Sequence, residues 1–329
     1  MDGPESSSEG ALRGLGKPAL VCALLSGMVF AVVFGAVWLL ESRVPMVRMS
    51  EREPAAVRPP APDGEGSSLR FAVATMVSAE STDFIYDRLV TRICKKVGLR
   101  KEFKLHTSYA KSRRALERGE LDVAFVCTGT YTRSRQRGLI KLLVQPEFED
   151  GLKYQSVFLV PAKSKAETLA DLRGLVMAFT DEESNTGCFV PTVALLDRDW
   201  HPKSFFKEIR FTGSHDLSIE AVARGRVDVA AVDSLIWESA KREDSELAGL
   251  VRVLWRSEAF GPPPIVVPTN IDHKLEASIR RAFLALNTDE DGREILSAIG
   301  IKRFVMPSPE DYESAIKLYE RFAAQERTE

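Results

Sequence analysis

Arg114-Ala115-Leu116-Glu117-Arg118-Gly119-Glu120-Leu121-Asp122-Val123-Ala124-Phe125-Val126 has a counterpart 106 residues downstream, Glu220-Ala221-Val222-Ala223-Arg224-Gly225-Arg226-Val227-Asp228-Val229-Ala230-Ala231-Val232. Each copy reads as a helix end, a glycine stop and a strand of pattern Asp-Val-Ala-x-Val. Glycine suits the left-handed turn that follows a helix. Asp122 and Asp228 are expected to bond local backbone in that turn. A polar cluster follows each strand: Thr128-Gly129-Thr130-Tyr131 in one copy, Asp233-Ser234 in the other. In open α/β sheets, ligands bind beyond the carboxyl ends of the strands. Two such copies therefore predict two α/β lobes with a cleft between them.

The neighbouring sequence extends the pattern. Leu69 to Ala74 reads as a strand, Asp83 to Val97 as a helix with apolar residues at helical spacing, and Phe103 to His106 as a strand. Alternating units of this length imply an α/β fold with mostly parallel sheets. Tyr154 to Val160 and Val251 to Trp255 are strand-like and flank the region 161–250. They are read as crossings between a first lobe, 69–160 plus 251–329, and a second lobe, 161–250. A last amphipathic helix, Pro309 to Ala324, carries Tyr312, Ile316 and Tyr319 as packing positions.

The N-terminus is of another kind. Residues 1–18 form a polar tail, and Ala19 to Leu40 runs without a charge. Such a run is long enough to span a bilayer as a helix and longer than the core of a cleaved signal peptide. It is read as a transmembrane signal anchor at 19–40, followed by a Pro-rich linker at 41–68. Cys22 lies near the start of the run, which argues against lipidation. Arg13 and Lys17 precede the span; Arg43, Arg48, Arg52 and Arg58 follow it. That count taken alone keeps the body in the cytoplasm.

Composition excludes several classes. A net charge of -2 gives no support for nucleic-acid binding. Cys94, Cys127 and Cys188 are not closely paired in sequence, so no disulfide framework is expected. His106, His201, His215 and His273 are scattered without ligand spacing, so no metal is expected. No cofactor motif and no nucleophile–base pair stands out, so no catalytic residue is assigned.

One further stretch bears on function: Asp181-Glu182-Glu183-Ser184-Asn185-Thr186-Gly187-Cys188-Phe189-Val190-Pro191. It follows an apolar strand, Leu175 to Phe179, and precedes a helix, Val190 to Leu196. Unpaired amides and the positive dipole end at a helix N-terminus suit a small oxyanion. Capping is so common that this stretch alone favours Ser184 as a helix cap over an anion ligand, by roughly two to one. The stretch by itself leaves both readings open.

Taken together, these pieces resemble the phosphate/phosphite/phosphonate-binding proteins of ABC transporters. The resemblance covers about residues 69–305 and rests on Ser108-Tyr109-Ala110, Gly119 to Asp122, Thr128-Gly129-Thr130-Tyr131, Tyr154-Gln155-Ser156, Ser184-Asn185-Thr186-Gly187 with Pro191, Gly213-Ser214-His215-Asp216, and Gly225 to Ser234. It implies a type II periplasmic binding protein fold: two Rossmann-like lobes joined by two crossover strands. It implies a ligand site of Tyr109, Tyr154, Ser184, Asn185, Thr186 and His215, with Asp233 near the end of the Val227 strand. Leu235 stands where relatives that take aminoethylphosphonate place a second carboxylate, which favours phosphite, phosphate or an alkylphosphonate. The implied partner is an ABC permease. The implied location is the extracytoplasmic face of the inner membrane, and the orientation of the anchor follows the resemblance rather than the charge count. A ligand-sensing input module for a separate signalling protein is the alternative, and an enzyme on the same fold a third.

Overall fold

The computed structural model describes residues 67–74, 79–149 and 151–326. The expected tail, the expected anchor and all but the last residues of the expected linker lie outside these. Among the described residues no helix is long and apolar enough to cross a membrane.

The chain runs β1 (Ser68–Ala74), α1 (Ala79–Val97), β2 (Arg100–His106), α2 (Tyr109–Glu117), β3 (Val123–Phe125), α3 (Thr128–Arg135), β4 (Ile140–Glu147) and β5 (Tyr154–Pro161). It continues with β6 (Val176–Phe179), a π-turn at Asn185–Phe189, α4 (Val190–Leu196), α5 (Pro202–Phe205), β7 (Glu208–Phe211), α6 (His215–Ala223), β8 (Val229–Asp233), α7 (Ser234–Glu243) and α8 (Ser245–Gly249). Then come β9 (Val251–Phe260), β10 (Ile265–Pro268), α9 (His273–Leu284), α10 (Glu290–Ala298), β11 (Arg303–Val305) and α11 (Glu313–Glu326).

These strands form two sheets, in the orders β11-β4-β10-β3-β1-β2 and β7-β6-β8-β5-β9. We call each sheet with its helices a lobe. In the first, β1 pairs in parallel with β2 and β3; in the second, β6 pairs in parallel with β7 and β8. The remaining pairings are antiparallel, so the sheets are mixed rather than mostly parallel. The reason is where the chain enters. β5 begins beside the end of β8 and β10 beside the end of β3, so each runs back against the parallel set. The chain passes between the sheets in the segments before β5 and after β9.

Both faces of each sheet are covered, which explains the continuous apolar runs. On β3, Val123 and Phe125 face one core while Ala124 and Val126 face another. On β8, Val229 and Ala231 separate in the same way from Ala230 and Val232. Helix α11 lays Leu318, Tyr319 and Phe322 into the second lobe's core, where Phe189 meets Phe322 at 4.5 Å between ring centroids.

The repeat read from the sequence is a structural repeat. Gly119 and Gly225 take φ of 66° and 65°, the left-handed region that only glycine enters at little cost. Asp122 and Asp228 do not bond local backbone. Asp122 Oδ2 accepts from the backbone N–H of Arg70 at 2.9 Å, and Asp228 Oδ2 from that of Val176 at 2.8 Å. Each aspartate thus ties its own strand to the neighbouring parallel strand.

Candidate functional site

Parallel strands of both lobes end at the cleft, and β2, β3, β6, β7 and β8 are each followed by a helix or turn that starts there. Ser108, Cys127, Ser184, Ser214 and Asp233 are the residues preceding α2, α3, the π-turn, α6 and α7. Their first-turn amides supply positive potential from dipoles alone.

All seven residues expected at the site are buried, each no more than 2% exposed. Asn185 Nδ2 donates to Tyr154 Oη at 3.1 Å, joining the π-turn to the start of β5. Ser184 Oγ accepts from the Gly187 amide at 3.0 Å. Ser184 is therefore a cap, and its own proton is still available to a ligand; the two readings of this stretch are compatible. Ser156 Oγ holds the turn from below by donating to the Thr186 carbonyl at 2.6 Å. His215 Nδ1 accepts from the backbone N–H of Asp233 at 3.0 Å, with the Thr180 hydroxyl 3.2 Å away. A nitrogen that accepts carries no proton, so the ring is neutral with its N–H at Nε2. Burial agrees, pushing the His215 pKa down to about 3. The same burial pushes the Asp233 carboxyl up to about 7, against hydrogen bonds from the Leu235 and Ile236 amides. Tyr109 and Tyr154 are raised well above the usual phenol range, chiefly by burial and further by Cys127 and Asp233 close by. Both remain O–H donors. The structure thus brings Tyr109 from the first lobe together with Tyr154 and Asp233 from the second.

The hydroxyls of Tyr109, Thr130 and Thr186 and the Oδ1 of Asn185 are fully buried without a hydrogen-bond partner. Each such atom in a folded protein calls for an explanation. Tyr109 on one lobe and Asn185 and Thr186 on the other lie at the cleft, where a polar ligand would satisfy them; Ser134 Oγ and Arg92 Nε are orphaned as well. None of the seven residues is a lysine or arginine.

Several neighbours escaped the sequence reading. Cys127 directly precedes α3 with its sulfur near the amides of Asn185 and Gly129, and burial pushes its thiol up to about 12. Thr130 lies in a polar cluster that was visible, but nothing in the sequence separated it from Tyr131. Tyr131 packs edge-on against Tyr312 at 5.1 Å between centroids and serves the core. Thr180 and Ser156 each look like one more strand residue. Gly129 marks a close approach of the lobes. A Cβ there would lie 2.2 Å from the Glu183 carbonyl oxygen and 2.8 Å from the Asn185 nitrogen. Outside this contact lies a cavity of about 290 Å³, lined by Ser108, Ala110, Thr180 to Glu183 and Phe211 to Gly213.

A buried, dipole-rich cleft between two α/β lobes is the arrangement of a small-ligand binding protein. Residues 71–312 match the family of ABC transporter, phosphonate, periplasmic substrate-binding proteins, and the chain belongs to that family. A relative from Prochlorococcus marinus, named a probable ABC transporter phosphite binding protein, is 22% identical over 49% of this chain and 59% of its own length. A phosphate-import protein from Mycolicibacterium smegmatis is 25% identical over 61% of this chain and 67% of its own. The chain thus matches less than two thirds of the first relative's length. The solved structure of PhnD1 from Prochlorococcus marinus in complex with methylphosphonate superposes with a TM-score of 0.72 at 17% identity, covering 78% of this chain and 98% of that one. That likeness shows the fold.

Proposed function

We propose that this chain is a membrane-anchored, extracytoplasmic receptor for a small phosphorus oxyanion, delivering phosphite, phosphate or an alkylphosphonate to an ABC permease. The observation that carries the reading is the set of buried, partnerless polar atoms of Tyr109, Asn185 and Thr186, drawn from both lobes. Around an oxyanion, Tyr109, Tyr154, Ser184, Thr186 and His215 Nε2 donate hydrogen bonds, and the turn's amides add dipole stabilisation. The names of the relatives, which specify phosphite and phosphate, support the ligand class. The uncharged run Ala19 to Leu40 supports the anchor. The same anchor also suits a sensor that signals to a separate protein; adjacent genes for a permease and ATPase, or for a histidine kinase, separate the two.

Asp233 sets the protonation state of the ligand. Near neutral pH its carboxyl and a protonated oxyanion share a proton. Above about 7 the carboxylate repels a fully ionised anion that has no proton to offer. Preference for phosphate over sulfate therefore grows as pH rises through that value. An Asp233→Asn variant that kept both the preference and its pH dependence would remove this role.

Calorimetry on the full chain in detergent tests the whole reading, with phosphite, methylphosphonate, phosphate, aminoethylphosphonate and sulfate titrated in turn. Tight binding of one phosphorus oxyanion, lost in Ser184→Ala and His215→Ala, is expected. Heat from none of the five overturns the ligand class.

A further inference from the structure

The loop that carries Ser184 to Gly187 also carries two acids that reach the opposite lobe. Asp181 Oδ2 accepts from the backbone N–H of Tyr109 at 3.3 Å. Glu183 goes further. Its side chain is 5% exposed, and its two carboxylate oxygens accept from Arg113 Nε at 2.9 and 3.1 Å. Arg133 approaches the same carboxylate at 3.7 Å. Arg113 lies on α2 and Arg133 on α3, so among the described residues both ion-pair partners of Glu183 belong to the first lobe.

A buried carboxylate without its partners is strongly destabilising. Opening the cleft parts Glu183 from both arginines and returns all three groups to water. The pair therefore exists only in the closed molecule. Glu183 is also the residue directly before Ser184, and its carbonyl oxygen abuts Gly129 of α3. Fixing the turn around a ligand fixes the backbone from which the Glu183 side chain holds the first lobe. The two arginines also neutralise a negative charge that would otherwise sit beside an anion site.

We propose that Glu183 is a positioning residue that ties ligand occupancy to lobe closure, with Arg113 as its main partner. It rests on the reading of the cleft as a ligand site. A latch that holds the closed form, which the ligand-free protein samples and a ligand fixes, slows departure and leaves arrival through the open form unchanged.

The test uses the full chain in detergent, with Glu183→Gln, Arg113→Gln and the double variant. Stopped-flow kinetics with methylphosphonate and phosphite are expected to show dissociation about tenfold faster in each single variant, with association within about twofold of the parent. The double variant is expected to be no faster than either single one. In parallel, spin labels at the exposed positions Arg100 and Lys207, with Cys22 replaced by serine, report the distance between lobes without ligand. Glu183→Gln is expected to shift that distribution to longer distances. Unchanged dissociation, additive effects of the two variants, or identical distance distributions each overturn the latch. Should the parent bind neither probe, the ligand reading fails while the distances still decide the latch: longer in Glu183→Gln supports it, unchanged overturns it.

Discussion

Tyr109 and His215 stand 106 residues apart, at the first position of α2 and of α6, in two copies of one unit. The scaffold around them is shared. Ser108 and Ser214 precede them, Ser112 and Ser218 are buried behind them, and Asp122 and Asp228 stitch equivalent strands. At the cleft the copies part. The first lobe presents a phenol at Tyr109 and a thiol at Cys127; the second presents an imidazole at His215 and a carboxyl at Asp233. The positions that build each lobe share one chemistry, and the positions at the cleft have two. The carboxyl pushed up to about 7, that of Asp233, lies in the second lobe. The first closes over it as a wall of groups that stay neutral.

The sharpest way to break this comparison is at Gly129, whose equivalent in the second copy is Leu235. Gly129→Ala places a methyl against the Glu183 carbonyl and forces the lobes apart. Ligand affinity is expected to fall by about a thousandfold or more, roughly 4 kcal/mol, while ligand-free stability stays near that of the parent; calorimetry and thermal unfolding check both. The paired positions come next. His215→Ala removes a donor and leaves the Asp233 amide unpaired, so it is expected to lower both affinity, about a hundredfold, and stability, by about 1–3 kcal/mol. Tyr109→Phe removes a hydroxyl that has no partner in the free protein. Affinity is expected to drop about tenfold while stability holds or rises, since a buried unsatisfied group is lost. Equal stability losses in the two variants would erase the distinction between the lobes.

The smallest effect is a slope. Between about pH 4 and 7 the folded protein keeps a proton on Asp233 that the unfolded chain has released, so stability falls as pH rises through that window. His215 acts oppositely. From about pH 3 to 6.5 the unfolded chain binds a proton that the buried ring refuses, so stability rises. The two slopes offset each other in the parent. Asp233→Asn leaves only the rising one, and denaturant midpoints measured from pH 4 to 6.5 should climb more steeply in that variant.

Much of this was legible in the chain. The two Gly-x-x-Asp-Val-Ala segments disclosed the repeat because left-handed turns demand glycine and doubly covered strands demand small or β-branched residues. The polar clusters after those strands then located the cleft. Hydrogen-bond direction was not legible. Nothing in Gly213-Ser214-His215-Asp216 says that the ring accepts from the Asp233 amide, because that contact is set by the packing of α6 on β8. The antiparallel course of β5 and β10 was missed for a related reason, since an apolar run carries no sign of the end from which it enters a sheet. Nothing in the sequence singles out Glu183 or Arg113, and only the fold brings the two together.

Helix α11 has a consequence for how the molecule is made. It is synthesised after every strand described, yet Leu318, Tyr319 and Phe322 complete the core around Phe189. The first sheet likewise waits for β10 and β11 to flank β4. A nascent chain on the ribosome therefore has no finished half until the last helix emerges, and its contacts are long in sequence and slow to form.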